Sequence, residues 1–191
     1  MSPALRRATV ADLVEAETQG RRLELLGGTL VEKEAAGNRH GASHGGVFAT
    51  VRAPFRGRGG PQGPGGWVFL IEPSVLAGSG DVVVPDVAGW RRERAPSGDE
   101  FPLTVAPDWV CEVVYSSHGR DVGQKPPIYL AMNVGHYWVV DLNAMVLTVY
   151  RAGPDGWVWV AGVGPEGKVR LEPFDAVELP AADLFGLDEA P

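Results

Sequence analysis

Cysteine and long hydrophobic runs are both scarce in this chain. Its 191 residues include one cysteine, Cys111, so no disulfide can form within the chain. We interpret Cys111 as a buried packing thiol and expect a reducing, cytoplasmic environment. No apolar run approaches the roughly 18 residues of a membrane-spanning helix. The N-terminal segment MSPALRRATV lacks the apolar core of a secretion signal. We therefore expect no membrane partner.

An excess of positive charge is also missing, since the formal net charge is −7. This balance argues against a protein that coats nucleic acid non-specifically, because such proteins are usually basic. Basic residues nevertheless cluster in two places, one in a glycine-rich stretch and one after an apolar strand. The clusters are Arg52, Arg56 and Arg58, and Arg91, Arg92 and Arg94. Two interpretations stay open: weak contacts with nucleic-acid phosphates, or solvated side chains in surface turns.

The hydrophobic pattern favours an α/β fold. The runs VVVPDV, WVCEVV and YWVVD are apolar without alternation, which is typical of central strands covered on both faces. Helical patterns at about 9–18 and 39–55 precede these runs, and one at about 126–133 lies between WVCEVV and YWVVD. We predict a mixed central sheet flanked by helices. The length fits a single domain, residues 1–191.

Capping and turn signals locate further elements near both ends of the chain. Thr9 can cap the first helix, and Gly27-Gly28 lies between two short apolar runs as in a β-hairpin. The strand pattern also predicts an added β extension near the C-terminus, at about 152–191. In the extension, a hairpin is predicted from strands at 156–161 and 167–172.

Two carboxylates lie inside strand-like apolar runs. Asp86 follows VVVP, and Glu112 lies 26 residues later within WVCEVV. That separation accommodates a strand, a loop and a neighbouring strand, so the two acids can lie side by side. A buried acid pair needs positive charge, and Mg²⁺ or Mn²⁺ suits oxygen ligands and activates water for phosphodiester cleavage. The competing interpretation is a pair of exposed acids at strand ends.

The histidines offer a weaker metal signal. His40 and His44 are four residues apart, which can place two imidazoles on one helix face, as in some zinc sites. The motif lacks a glutamate partner, so polar surface or supporting roles stay open. His118 lies six residues after Glu112 and can reach the edge of the predicted site.

Several segments together resemble a known family. In chain order they are RRLELLGGTLVE, NRHG, VVVPDVAGW, WVCEVVYSSHGRDVGQK and NVGHYWVVD. They resemble the Uma-type family of restriction-endonuclease-like proteins, which belongs to the PD-(D/E)XK nuclease superfamily. The resemblance covers roughly residues 8–151 and implies a restriction-endonuclease-like fold. It also implies a metal-dependent endonuclease, with Mg²⁺ or Mn²⁺ as cofactor, DNA as substrate and a homodimer as a possible assembly.

The resemblance also assigns metal-binding residues. Asp86 and Glu112 match the family's metal-binding acids, and the backbone carbonyl of Val113 would be a third ligand. Glu24 matches an N-terminal glutamate that can approach the metal.

The catalytic lysine falls at an unusual position. The superfamily's lysine would follow Glu112 by two residues, where this chain has Val114. Lys125 matches the basic residue that this family supplies from the following helix, and Asp121 would support it. Pro126-Pro127 follows directly, which places Lys125 at the start of that helix. These departures keep an alternative open: a catalytically inactive nuclease-fold module for binding or assembly.

Overall fold

Four helices and twelve strands make up the part of the chain that the computed structural model describes, residues 6–33, 37–61, 63–115 and 123–187. The helices are α1 (Val10–Thr18), α2 (Asn38–Phe55), α3 (Lys125–Ala131) and α4 (Ala181–Leu184), with a 3₁₀ turn at Arg92–Arg94. The strands are β1 (Leu23–Leu26), β2 (Thr29–Glu32), β3 (Trp67–Ile71), β4 (Val75–Leu76), β5 (Val82–Val83), β6 (Val87–Arg91), β7 (Trp109–Val114), β8 (His136–Asp141), β9 (Val146–Gly153), β10 (Gly156–Val163), β11 (Lys168–Val169) and β12 (Leu179–Pro180).

A six-stranded mixed sheet organises these elements. Its order is β10-β9-β8-β7-β6-β3. The central strands β7 and β8 pair in parallel, whereas the other neighbours pair antiparallel. A second sheet, β2-β1-β5-β4, holds the N-terminal hairpin. The predicted mixed α/β architecture with flanking helices is therefore confirmed.

Strand β7 explains the unbroken apolar runs. All six of its residues are buried, because both faces of the sheet are covered. Trp109, Cys111 and Val113 pack on the face that α2 covers. Val110 and Val114 pack on the opposite face with Tyr129 of α3 and other residues. Since side chains alternate along a strand, Glu112 lies on the α3 face.

The predicted helix cap and hairpin turn near the N-terminus are confirmed. Thr9 caps α1 in a capping box with Asp12, which satisfies two backbone N–H groups that the helix itself leaves unpaired. Gly27 and Gly28 form the tight turn between β1 and β2 with φ values of 58° and 80°. Those positive φ angles suit glycine at both positions of a two-residue hairpin. No helix in the described ranges is long and apolar enough to cross a membrane.

Two strand predictions are wrong. The apolar run VVVPDV (82–87) does not form one central strand, because β5 and β6 belong to different sheets and Pro85-Asp86 lies between them. Proline has no N–H for a ladder hydrogen bond, which favours a break there. The predicted hairpin of 156–161 with 167–172 is also absent. Strand β10 pairs instead with β9 through a two-residue turn, and β11 pairs with β12. The composition of a strand does not by itself determine which neighbouring strand it pairs with.

The contact between α2 and α4 makes a testable packing site. A Cβ atom added at Gly46 would lie 1.9 Å from the Asp183 carbonyl oxygen. We expect Gly46→Ala to lower the free energy of unfolding by about 1–3 kcal/mol in urea titrations, because the backbone of α4 must move away. Gly45→Ala is the matched control, since its Cβ meets nothing within 4 Å. Equal stability of the two variants would contradict this packing.

Candidate active site

Strands β6 and β7 bring the two predicted acids together. Their antiparallel register pairs Val87 with Cys111 and Ala88 with Val110. One further step sets Asp86 opposite Glu112 on the same face, where Cβ atoms are typically about 4.5–5.5 Å apart. Asp86 is 2% exposed and Glu112 is 1% exposed. The interpretation of these acids as exposed strand ends is therefore wrong.

Lys125 lies between two carboxylates. It is the first residue of α3, as the proline pair after it indicated, and it is buried. Its Nζ lies 2.9 Å from Glu24 Oε1 and 3.1 Å from Glu112 Oε1. One turn further along α3, the Tyr129 hydroxyl donates a hydrogen bond to Glu112 Oε1. Glu24 Oε1 also accepts a 2.8 Å hydrogen bond from the Val84 amide. The sheet and α3 thus hold this lysine in a fixed position.

A second lysine, Lys33, pairs with the other acid. Lys33 Nζ lies 2.9 Å from Asp86 Oδ1 and donates a 2.9 Å hydrogen bond to the Val84 carbonyl. Lys125 Nζ lies 3.4 Å from the same carbonyl, so one backbone oxygen lies between the two ammonium groups. Lys33 is not among the site residues predicted from the sequence. Its position directly after β2, in the hairpin that carries Glu24, was the available signal.

The first turns of α2 add two imidazoles to this cluster. His40 Nε2 lies 3.2 Å from Asp86 Oδ2. One ligand atom each from His40, His44 and Asp86 lie within 4.8 Å of one another. The i,i+4 spacing places both rings on one helix face, with centroids 6.0 Å apart. The structure therefore places both histidines at the acid cluster and argues against a polar surface role.

The surrounding charges keep Asp86 ionised. Burial alone would raise the pKa of Asp86, but the contact with His40 and the charges of Lys33 and His40 together hold it well below its usual value. Burial opposes the charge of Lys33 as well, yet the nearby Asp86 and Glu112 carboxylates raise its pKa. The hydrogen bond to Asp86 raises the pKa of His40. Asp86 is therefore an anion with two basic neighbours.

Burial determines the protonation of the neighbouring groups. Desolvation raises the pKa of Tyr129, and the Glu112 charge adds to that effect, so the hydroxyl stays protonated and donates to Glu112. Burial also raises the pKa of the Cys111 thiol. Cys111 is fully buried, as predicted for a packing residue. His44, in contrast, has its pKa lowered by burial and is neutral at pH 7.

The predicted arginines do not form one patch. Four of them line a groove of about 550 Å³ beside the glycine-rich stretch: Arg52, Arg56, Arg58 and Arg92. Arg91 stacks on the ring of Trp67, and Arg94 forms an ion pair with Asp108. Arg52 lies twelve residues beyond His40 on α2, which corresponds to roughly 18 Å along the helix. The groove is thus separate from the acid cluster. His118 and Asp121 lie outside the described residues.

Comparison with known proteins identifies the family. A family model described as "Uma2: Putative restriction endonuclease" matches residues 10–182. The chain belongs to the Uma2 family. The match extends beyond the resemblance at residues 8–151 and includes most of the C-terminal β extension. It also spans every element that contributes to the acid cluster. No curated protein matches the chain in sequence.

A solved structure supports the same fold. It comes from Anabaena variabilis and is described as "a putative nuclease belonging to DUF820". The TM-score is 0.71 at 18% sequence identity, and the match covers 93% of this chain and 97% of the other. At that identity the similarity shows the fold. The Uma2 chain described here therefore has a nuclease-like, restriction-endonuclease-type architecture.

Proposed function

We propose that this protein is a metal-dependent endonuclease that hydrolyses DNA phosphodiester bonds. The observation that carries the proposal is the pair of buried acids beside Lys125: Glu112 on β7 and Asp86, which directly precedes β6 and lies opposite it. The Uma2 match and the nuclease-like neighbour support the reaction class. We assign Asp86 and Glu112 to the metal, which is Mg²⁺ or Mn²⁺, and Glu24 to an auxiliary role.

The donor atoms suit a hard divalent cation. Carboxylate and backbone carbonyl oxygens are the ligands that Mg²⁺ prefers. The Val113 amide donates a 2.7 Å hydrogen bond to Asp86 Oδ2, and the carbonyl of a strand residue faces the same side as its amide. Continuing the register would set Pro85 opposite Val113, and proline has no N–H to donate. The sheet therefore supplies no ladder donor from Pro85 to this carbonyl, in agreement with Val113 as third ligand.

Each residue around the acids has a separate chemical task. A bound divalent cation would lower the pKa of its water and neutralise charge on the phosphate. The Lys125 ammonium would orient the attacking water and stabilise negative charge in the transition state. Tyr129 and Glu24 act as positioning residues, because the first orients Glu112 and the second holds Lys125. His118 and Asp121 lie outside the described residues, so their supporting roles stay predictions.

DNA contacts are proposed at the arginine groove. The four guanidinium groups around it carry positive charge on an otherwise acidic protein, and guanidinium groups bind phosphate oxygens well. A duplex that reaches the acids could place a more distant phosphate at this groove. Arg91 and Arg94 do not line this groove, and Arg94 is neutralised by its ion pair with Asp108. The homodimer, the cytoplasmic location and the single-domain organisation stay predictions.

One observation favours a second candidate, an inactive nuclease-fold module for binding or assembly. Each acid already has an ammonium partner, Asp86 with Lys33 and Glu112 with Lys125. These pairs balance charge without a metal. In addition, the superfamily's lysine position holds Val114.

A cleavage assay separates the two candidates. We expect the purified protein to nick supercoiled plasmid, or to cut single-stranded DNA, with millimolar Mg²⁺ or Mn²⁺ and to leave both intact in EDTA. Isothermal titration calorimetry with the same metals should show binding. Absence of cleavage together with absence of binding heat would support the inactive module. A Glu112→Gln variant purified identically controls for contaminating nucleases.

A further inference from the structure

We infer that His40, His44 and Asp86 form a site for a borderline transition-metal ion such as Zn²⁺ or Co²⁺. This site shares Asp86 with the carboxylate pair but takes its other donors from α2. The inference does not require DNA hydrolysis, since the histidines can bind an ion in an inactive module as well.

An unpartnered nitrogen points to a missing ligand. His44 is 9% exposed, and its Nε2 has no hydrogen-bond partner among the described residues. Nδ1 of His40 is also buried without a partner in these ranges, but it is not the nitrogen that faces Asp86, so the unpartnered nitrogen that indicates an ion is that of His44. Buried polar atoms usually have a partner, because leaving one unpaired costs about 1–3 kcal/mol. An ion bound to His44 would remove that cost.

The spacing of the donors fits a single ion. Donor atoms at about 2.1 Å from one ion lie about 3.0–3.5 Å from each other when the coordination is octahedral or tetrahedral. His40 Nε2 and Asp86 Oδ2 are 3.2 Å apart. The three donor atoms lie within 4.8 Å of one another, which is wider than a single ion requires, so the set must contract when the ion binds.

The surroundings hold Asp86 in place for this role. Lys33 contacts Oδ1, whereas Oδ2 faces His40 and accepts the hydrogen bond of the Val113 amide. A carboxylate oxygen accepts more than one partner, so Oδ2 can keep this amide while it binds an ion. Such outer contacts orient metal ligands in known sites.

The donor set decides the class of metal. Two imidazole nitrogens and one carboxylate suit Zn²⁺, Co²⁺ or Fe²⁺, whereas Mg²⁺ and Ca²⁺ prefer oxygen alone. Three protein ligands leave positions open for water or a substrate oxygen, as in catalytic rather than structural sites.

Cobalt binding tests the inference with a spectroscopic readout. Titration of the full chain with Co²⁺ should produce visible absorption from nitrogen-ligated cobalt at one ion per chain, and Zn²⁺ should displace it. His40→Gln and His44→Gln should each weaken Co²⁺ binding at least about 10-fold. His136→Gln is the matched control, because His136 lies on β8 and contacts Glu172. That variant should bind Co²⁺ like the unmodified protein.

The outcomes are distinguishable from those of the cleavage assay. Glu112→Gln removes an acid of the proposed nuclease site but should keep the cobalt absorption. Unchanged Co²⁺ affinity in both histidine variants, or loss of binding only with Glu112→Gln, would overturn the site. Thermal unfolding without metal checks each fold. If His44→Gln does not fold, the more exposed His40→Gln alone decides the outcome.

Discussion

Replacing Glu112 by glutamine is expected to reduce metal-dependent DNA cleavage at least about 1,000-fold, the scale on which removal of a preorganised charge-stabilising group acts. The substitution preserves the side-chain volume and can still accept the hydrogen bond from Tyr129. It removes the negative charge that a divalent cation requires. Initial rates of plasmid nicking at saturating Mg²⁺ provide the measurement, and Asp86→Asn should behave alike.

A remote acid provides the matched control. Asp108 directly precedes β7 and forms an ion pair with Arg94. It lies four residues before Glu112 in the chain, which corresponds to roughly 13 Å along an extended strand. Asp108→Asn should therefore retain cleavage within a few-fold. If Glu112→Gln and Asp86→Asn cleave like this control, the two acids do not hold the catalytic metal.

Replacing Lys125 by methionine is expected to lower the free energy of unfolding by about 3–5 kcal/mol, because it leaves buried charges without their partner. Lys125 is 1% exposed and contacts both Glu24 and Glu112. Methionine fills nearly the same volume, so the loss reports charge rather than packing. Urea unfolding in EDTA at pH 7 measures the change.

Two further variants make this result specific. Adding Glu24→Gln and Glu112→Gln to Lys125→Met should recover most of the lost stability, since replacing a complete buried ion group is often neutral or stabilising. Lys168→Met is the surface control and should change stability by less than about 0.5 kcal/mol, because Lys168 is exposed. A Lys125→Met variant as stable as this control would show that the acids are neutral or that water reaches them.

Only part of the environment of Lys125 could be predicted from its neighbours in the sequence. Pro126 and Pro127 restrict the backbone before them, so the start of α3 at Lys125 could be predicted from neighbouring residues. Its contact with Glu24 could not, since one hundred residues separate them in the chain. The family resemblance placed both residues in one site, and the contact distances come from the tertiary structure.

The N-terminal elements were predictable for the same reason. The capping box at Thr9 and the glycine turn of the first hairpin depend on residues within four positions of each other. The wrong prediction of a hairpin between 156–161 and 167–172 shows that such local signals do not determine strand pairing. The strand-like composition of 156–161 was recognisable, but β9 and the segment that became β11 were both available partners, and composition does not rank them.

Neighbouring residues indicated the first helix, the first hairpin and the apolar central strands, with Asp86 and Glu112 within or beside those strands. The fold revealed that β6 and β7 pair in the register that sets these acids opposite each other. It also brought Lys33 and His40 to Asp86 from separate elements. The physical reason is that short-range hydrogen bonds and turns depend on adjacent residues, whereas strand pairing and ion pairs depend on burial shared across the whole fold.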